Sequence, residues 1–391
     1  MKYRPFGGLD WQGSALGFGC MRLPVLDGKP ECIDEANAIR MIRHGIDSGI
    51  NYIDTAYPYH GGMSELVVGK ALKDGYREKV HLATKSPVWF IHNQADFDKY
   101  LDEQLQKLQT DHIDFYLLHA LNKARWPELH RLGIVDWAEK ALQSGRIGHI
   151  GFSFHDDYPL FEQILDDYDR WTFCQIQYNY LDVEEQAGLQ GLKLAAEKGL
   201  AVVVMEPLMG GKLAAPPQKI LDIFDQSPLK HSPADWALQW LWDQPQVSLV
   251  LSGMSDMQQV QENLDSAARS GVGSFTPAER AVVDRAREKY RALIPIPCTK
   301  CRYCMPCPNG VNIPYQFDLF NKGVMMEDWG SSRFRFAQLP ASERASECIA
   351  CLECEQQCPQ HINISEWMPV VEAVLGQNQP WDGRVIPGLH S

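Results

Sequence analysis

Leu200-Ala201-Val202-Val203-Val204-Met205 is the most apolar stretch of the chain, and it stops at Glu206-Pro207. It is far too short to cross a bilayer, which takes about 20 residues. A short apolar run without alternation, rich in valine, suits a parallel strand buried on both faces. The same reading applies to Ala15–Phe18, Asn51–Thr55, Val80–Thr84, Ile113–His119, His149–Phe154, Phe173–Tyr178 and Ser248–Leu251, with Ala201–Met205 taking its place among them. Between the strands lie amphipathic segments: Glu35–Asp47, Glu65–Lys73, Phe97–Leu108, Ile134–Gln143, Glu184–Glu197 and Pro233–Trp242. Gly49, Gly75, Gly145 and Gly199 close several of them, as helix stops do. Eight strands alternating with helices predict an α/β fold, a (β/α)8 TIM barrel. A doubly wound open sheet is the rival, but no G-x-G-x-x-G follows the first strand; Gly17-Phe18-Gly19 stands alone.

The composition narrows the function class. The chain has 391 residues, enough for one large domain and a small second one. Lys and Arg number 37 against 50 Asp and Glu, a formal charge of −13 that argues against nucleic-acid or anionic-membrane partners. The opening Met1-Lys2-Tyr3-Arg4-Pro5-Phe6-Gly7-Gly8 lacks the apolar region of a signal peptide, so a cytoplasmic location is expected.

A barrel directs attention to the carboxyl ends of its strands. The second strand ends in Asp54-Thr55-Ala56-Tyr57-Pro58-Tyr59, the third in Ala83-Thr84-Lys85 and the fourth in Tyr116-Leu117-Leu118-His119. An Asp, a Tyr, a Lys and a His therefore converge on one rim. Reduction of a carbonyl by hydride needs a proton donor for the developing alkoxide. A free tyrosine has a pKa of about 10 and needs tuning to serve near neutrality. The Lys85 ammonium would stabilise the Tyr59 phenolate, and Asp54 would hold that ammonium. Tyr59 is thus the expected general acid in reduction and base in oxidation, with His119 orienting the carbonyl. Singly, each residue is more simply a salt bridge, a core histidine or loop packing; jointly they make a catalytic set. Tyr57, Trp89, Phe90, Trp126, Phe154 and His155 form a candidate substrate wall.

These residues and their order resemble the aldo/keto reductase superfamily, whose Asp–Tyr–Lys–His tetrad occupies the same strand ends. The resemblance covers roughly residues 1–290 and includes Tyr3–Gly19, similar to the family's N-terminal hairpin beneath the barrel. It implies a small-molecule carbonyl or alcohol substrate and an NAD or NADP cofactor. By resemblance Ser153 and Gln175 hold the nicotinamide carboxamide, with Asp54 also at the cofactor. Met205 takes the place of the usual stacking aromatic ring, and Gly210 and Gly211 lie in the phosphate-covering loop. The loop and helix after the eighth strand hold the adenosine end and contribute Gly253, Gln259 and Asn263. Where the family carries Lys or Arg for a 2′-phosphate, this chain has Gly253, Asp256 and Gln259. A phosphate wants cationic partners, so NAD(H), or weak NADP(H) binding, is expected unless an Arg from elsewhere fills the site.

The composition changes after a helical Thr276–Ala292, where Ile294-Pro295-Ile296-Pro297 forms a stiff connector. Of eleven cysteines, eight lie between Cys298 and Cys358; Cys20, Cys32 and Cys174 are scattered. Cys298-x2-Cys301-x2-Cys304-x2-Cys307-Pro308 and Cys348-x2-Cys351-x2-Cys354-x3-Cys358-Pro359 resemble the ferredoxin run for [4Fe–4S] clusters. Zinc is the alternative, but its sites pair separated two-cysteine knuckles rather than two runs of four. The halves form an internal repeat, Cys307-Pro308-Asn309-Gly310-Val311-Asn312-Ile313 matching Cys358-Pro359-Gln360-His361-Ile362-Asn363-Ile364, each followed by a helix-like stretch, Tyr315–Asn321 and Ser365–Leu375. In two-cluster ferredoxins the Cys-Pro cysteine serves the other cluster. That resemblance implies two clusters, one on Cys298, Cys301, Cys304 and Cys358, the other on Cys348, Cys351, Cys354 and Cys307; each run binding its own cluster is the alternative. The expected organisation is a barrel at 1–290, a small, mainly helical ferredoxin-like domain at 291–376 and an irregular tail at 377–391.

Hydride transfer moves two electrons and each cluster passes one, with no flavin signature to convert between them. Three functions remain open: a nicotinamide-dependent carbonyl reductase whose clusters are structural or oxygen-sensing, an electron path between the barrel and an external redox protein, and a nucleotide-sensing subunit without catalysis.

Overall fold

The computed structural model describes residues 1–383. They divide into two compact units, one built from Met1–Ala215 and His231–Arg280, the other from Pro216–Lys230 and the chain from Ala281 on.

In the first unit, strands β1 (Tyr3–Pro5) and β2 (Gln12–Ser14) form an antiparallel hairpin. Eight parallel strands follow: β3 (Leu16–Gly19), β4 (Tyr52–Asp54), β5 (His81–Ser86), β6 (Ile113–Leu121), β7 (Ile147–Phe154), β8 (Phe173–Gln177), β9 (Ala201–Met205) and β10 (Leu249–Gly253). They close in sequence order, β10 pairing β3, so the TIM barrel and all eight of its strands are as expected from their apolar runs. The register brings Gly19 beside Asp54, Asp54 beside Ala83, and Ser153 beside Gln175, lining up the residues of the rim.

The hairpin belongs to the barrel floor. Phe6 is fully buried among Tyr52, Phe115 and Phe173, with ring centroids 4.8 to 6.1 Å away. The chain can enter there only because residue 7 is glycine. Its φ is +58°, and a Cβ would lie 2.4 Å from the Ala201 nitrogen. Gly8 N–H then donates to the Gly199 carbonyl at 2.9 Å.

Side-chain caps start the outer helices. Asp34 accepts from Asn37 N–H ahead of Glu35–Asp47, and Asn93 with Asp96 forms a capping box ahead of Gln94–Leu108. Ser232 caps Pro233–Trp242, whose proline occupies the first turn. Helices Arg125–Arg131 and Tyr158–Asp167 add to those foreseen. Among the described residues no helix is long and apolar enough to cross a membrane.

The second unit is mainly helical, with Ile313–Met326, Trp329–Ala337 and Ile364–Val371 around a core of Phe317, Phe320, Phe336, Trp367 and Met368. Ile296 of the proline-flanked connector is fixed at both backbone groups by Asn321, which accepts from its N–H at 3.1 Å and donates to its carbonyl at 2.8 Å. The repeat is structural as well as textual. Val311 and Ile313 are buried as Ile362 and Ile364 are, and Gly310 and His361 both adopt positive φ. Of the tail, Trp381 packs on Phe320 and Trp367, while residues 384–391 lie outside the described residues.

Candidate active site and cysteine cavities

Asp54 ends β4 and Lys85 lies near the end of β5, both almost wholly buried. The Lys85 ammonium donates to Asp54 Oδ1 at 2.6 Å and to the Thr55 carbonyl at 2.8 Å. Behind it a polar network fixes the strand. Gln104 Nε2 donates to the Lys85 carbonyl at 3.1 Å and to the buried Glu65 carboxylate at 2.7 Å, which also accepts from Thr84. Tyr59 begins the turn Tyr59–Gly62, which is held by His60. The His60 ring accepts from Leu23 N–H at 3.1 Å and meets the Pro30 carbonyl at 2.7 Å. The turn sets the Lys85 nitrogen 4.9 Å from the Tyr59 ring centroid. His119, from β6, faces Tyr59 edge-on at 5.9 Å, and Trp89 lies 5.1 Å beyond His119.

Electrostatics give each group a state. Burial works against the Lys85 charge, but Asp54 and Tyr59 outweigh it and hold its pKa above the ordinary lysine value. Burial raises the Asp54 carboxyl and Lys85 opposes that rise. For Tyr59, burial raises the phenol and the Lys85 ammonium pulls it back only in part. Desolvation, which the sequence does not display, outweighs the ammonium, so the resting phenol is protonated more firmly than free tyrosine. Burial, then Lys85, His155 and Arg125, drives His119 well below the usual histidine value, so its imidazole is neutral.

On β8 and just past its end, Gln175 Oε1 and Asn179 Nδ2 are buried without a hydrogen-bond partner among the described residues. Ser153 Oγ accepts from Ala120 N–H at 2.7 Å, leaving its hydroxyl proton free. Buried polar atoms without partners are costly, and an amide-bearing ligand suits Gln175 and Ser153, which the β7–β8 register places side by side. Asn179 was not foreseen; its only signal was a polar residue just past a strand end. Met205 is half-buried at the end of β9. The loop after β10, where the family resemblance would put a 2′-phosphate, is tied up by its own hydrogen bonds. Asp256 caps helix Met257–Ala268, accepting from Gln259 N–H at 2.8 Å and from its Nε2 at 2.9 Å. Asn263 is tied to Ser252 Oγ at 2.8 Å.

A cation does approach, but its charged end lies at Gly210 rather than at Asp256 and Gln259. Arg22, exposed in the loop after β3, lays its stem across Gly253 and brings its guanidinium against Gly210. A Cβ would lie 3.2 Å from that stem at residue 253 and 2.8 Å from Nη2 at residue 210, so both glycines make room for it. Arg22 pairs with no carboxylate among the described residues. Its sequence signal was a lone basic residue past a strand end.

Of the expected substrate wall, Trp89 and His155 lie near His119. Phe154 and Trp126 are instead core residues, Phe154 packing on Phe152 and Phe161, and Trp126 donating to Asp167 at 2.7 Å. Tyr57 turns outward to Glu103, Tyr100 and Phe90. Cys20 and Cys174 are fully buried, and desolvation holds both thiols protonated.

In the second unit the eight clustered cysteines surround two cavities. Cys298, Cys301, Cys304 and Cys358 line one; Cys307, Cys348, Cys351 and Cys354 line the other. Each cavity thus takes three cysteines from one run and the Cys-Pro cysteine of the other. No three Cys, His, Asp or Glu side chains among the described residues come close enough to hold a single ion. Four cysteines round each cavity, the Cys-Pro cysteine coming from the other run, match the crosswise pattern of two-cluster ferredoxins rather than paired zinc knuckles.

Residues 15–271 match the model of the aldo/keto reductase family, and residues 297–362 match that of the 4Fe-4S dicluster domain. The chain belongs to the aldo/keto reductase family. This reductase carries a 4Fe-4S dicluster domain after its barrel. It is 30% identical over 233 residues to the uncharacterized oxidoreductase YrpG of Bacillus subtilis, a match covering 54% of this chain and 68% of that protein. It is 26% identical over 308 residues to the probable aldo-keto reductase 1 of Glycine max, covering 67% and 83% respectively. Among solved structures it resembles the holo form of aldo-keto reductase AKR11C1 from Bacillus halodurans, with a TM-score of 0.61 and 29% identity over 73% of this chain and 96% of that one. An aldo-keto reductase from Klebsiella pneumoniae in complex with NADPH shares the fold, with a TM-score of 0.59 and 24% identity over 73% and 94%.

Proposed function

We propose that this oxidoreductase reduces small aldehydes, ketones or sugar-like carbonyls with a nicotinamide cofactor, Tyr59 supplying the proton. The observation that carries the reading is the buried Lys85 ammonium between Asp54 and Tyr59. The cofactor, when bound, would supply hydride. The rest is the work of this chain. Gln175, Asn179 and Ser153 would hold the carboxamide, with Asp54 beside it. Neutral His119 donates a hydrogen bond to the carbonyl oxygen and fixes it near the Tyr59 hydroxyl. As charge develops on that oxygen, the phenol gives up its proton and Lys85 stabilises the phenolate left behind. A phenol held protonated at rest is the form that carbonyl reduction requires.

Gly210, Gly211 and Arg22 would hold the cofactor's pyrophosphate, and Met205 would contact its ring. Gly253, Gln259 and Asn263 would border the adenosine, where the Asp256 carboxylate disfavours a 2′-phosphate; NAD(H) is therefore the preferred cofactor. The eight cysteines of the two cavities would carry two [4Fe–4S] clusters with crosswise ligation. In this reading the barrel function occupies residues 1–290 and the cluster function residues 291–376, in a reducing, cytoplasmic setting. Exposed Cys301 and Cys351 favour a second role, electron exchange with an external redox protein.

Fluorescence titration of the anaerobically purified chain tests the cofactor assignment. NADH should bind at least as tightly as NADPH, and Arg22→Gln should weaken both by a similar factor. An affinity for NADPH far above that for NADH would overturn the NAD(H) preference.

A further inference from the structure

The two cysteine runs share a loop backbone round their middle cysteine and differ in charge; between the third and fourth cysteines the first run is one residue shorter and lacks the helical turn Glu353–Gln356 of the second. In each, the residues flanking the middle cysteine adopt positive φ: 57° and 65° at Lys300 and Arg302, 55° and 66° at Ala350 and Leu352. Burial matches ligand for ligand. Cys301 and Cys351 are exposed, while Cys298 and Cys348, Cys304 and Cys354, and Cys307 and Cys358 are half-buried. Cluster potentials respond to net charge, hydrogen bonds to sulfur and solvent exposure. The positive-φ loops and the exposure of the ligands match at the two sites, so side-chain charge is the difference that stands out.

The charge differs in sign. The first run reads Thr299-Lys300-Cys301-Arg302-Tyr303, the second Ile349-Ala350-Cys351-Leu352-Glu353. Arg302 lines its cavity, is exposed, and meets no carboxylate among the described residues. Lys300 is partly offset by Asp318 at 3.6 Å, which Lys322 also approaches at 2.8 Å. Ile349, Ala350 and Leu352 line the other cavity without a cation, and Ile349 and Leu352 are 68% and 46% exposed. The acids near that run include Glu347, Glu353 and Glu355, the last accepting hydrogen bonds from Ser365.

We propose that the two cluster sites hold electrons unequally, Lys300 and Arg302 making the Cys298/Cys301/Cys304/Cys358 site the electron sink and the apolar Ile349–Leu352 loop leaving the other at lower potential. Reduction adds one negative charge to a cluster, and a nearby cation stabilises that charge. The first electron from a one-electron donor therefore rests beside Arg302, and an electron entering at the exposed Cys351 loop moves downhill toward Cys301. This inference rests on the iron–sulfur reading of the second unit.

The test is a potentiometric dithionite titration of the full chain, purified anaerobically, with iron and sulfide assayed and reduced clusters followed by electron paramagnetic resonance. Two separated one-electron waves are expected. Arg302→Gln should lower the upper wave toward the lower and leave the lower in place; Leu352→Lys should raise the lower wave only. Both substitutions are at exposed positions, and Lys300→Gln gives a second route to the first shift. A single wave in the native chain, or an Arg302→Gln that moves the lower wave, overturns the assignment while leaving the clusters themselves established. A chain without iron or sulfide would instead sink the iron–sulfur reading on which the inference stands.

Discussion

Tyr59 sits under two opposed influences, and their balance sets how the site behaves with pH. Burial raises its pKa and Lys85 lowers it, with burial ahead. The proton is therefore kept through neutrality and released only above the ordinary tyrosine value of about 10. His119, depressed well below its usual value, adds no charge change near neutrality. A pH–rate profile for carbonyl reduction should be flat across the neutral range and fall only in strong alkali; a fall centred near pH 7 would contradict it. Lys85 also bears on stability. Lys85→Met leaves the Asp54 carboxylate buried and unpaired, which should cost about 3–5 kcal/mol in denaturant unfolding. Removing both charges in Asp54→Asn/Lys85→Met should recover much of that. The tetrad was legible because its members sit at strand ends the apolar runs had already located. Asn179 and Arg22 were not, since a single polar residue past a strand carries no pattern. The desolvation of Tyr59 was equally hidden, because burial depends on neighbours from several strands.

Among the elements, the strands were read to within about two residues at each end because each carries a short apolar run, even where a buried polar residue such as Lys85, Ser153 or Gln175 interrupts it. The helices missed had weaker signals. Arg125–Arg131 spans seven residues, and Tyr158–Asp167 announces itself mainly through the Asp157 cap and Pro159. Trp329–Ala337 buries only Ser332 and Phe336, too few for a clear apolar period. The N-terminal hairpin was expected from resemblance, and its physical basis is Phe6 among the floor aromatics. Phe6→Ala should destabilise the protein by about 3–5 kcal/mol, as other emptied aromatic core sites do. Equilibrium unfolding checks this, and a change under about 1 kcal/mol would mean the floor closes without that ring.

For the whole molecule, the question is whether the two units share one reaction. The tetrad and the groups proposed to hold the cofactor all lie in the first unit, the cysteine cavities in the second. If the barrel acts by hydride alone, Cys351→Ser should lower iron content yet leave carbonyl reduction within about twofold of native, less than 1 kcal/mol in barrier. Parallel loss of iron and reduction would favour an obligatory electron path. The cysteine spacing disclosed the second unit at once, and the sequence repeat foretold its paired cavities. The segment Pro216–Lys230, grouped with the second unit, had no such marker, since its place depends on tertiary contacts alone.

Whether Tyr59 is the proton donor for carbonyl reduction is decided by single-turnover kinetics of Tyr59→Phe with NADH deuterated at its transferable position. The native chain should deliver deuterium to the carbonyl carbon, and the variant should bind NADH normally while losing about 10²–10⁴ in rate. A variant that transfers deuterium as fast as the native chain would contradict that role.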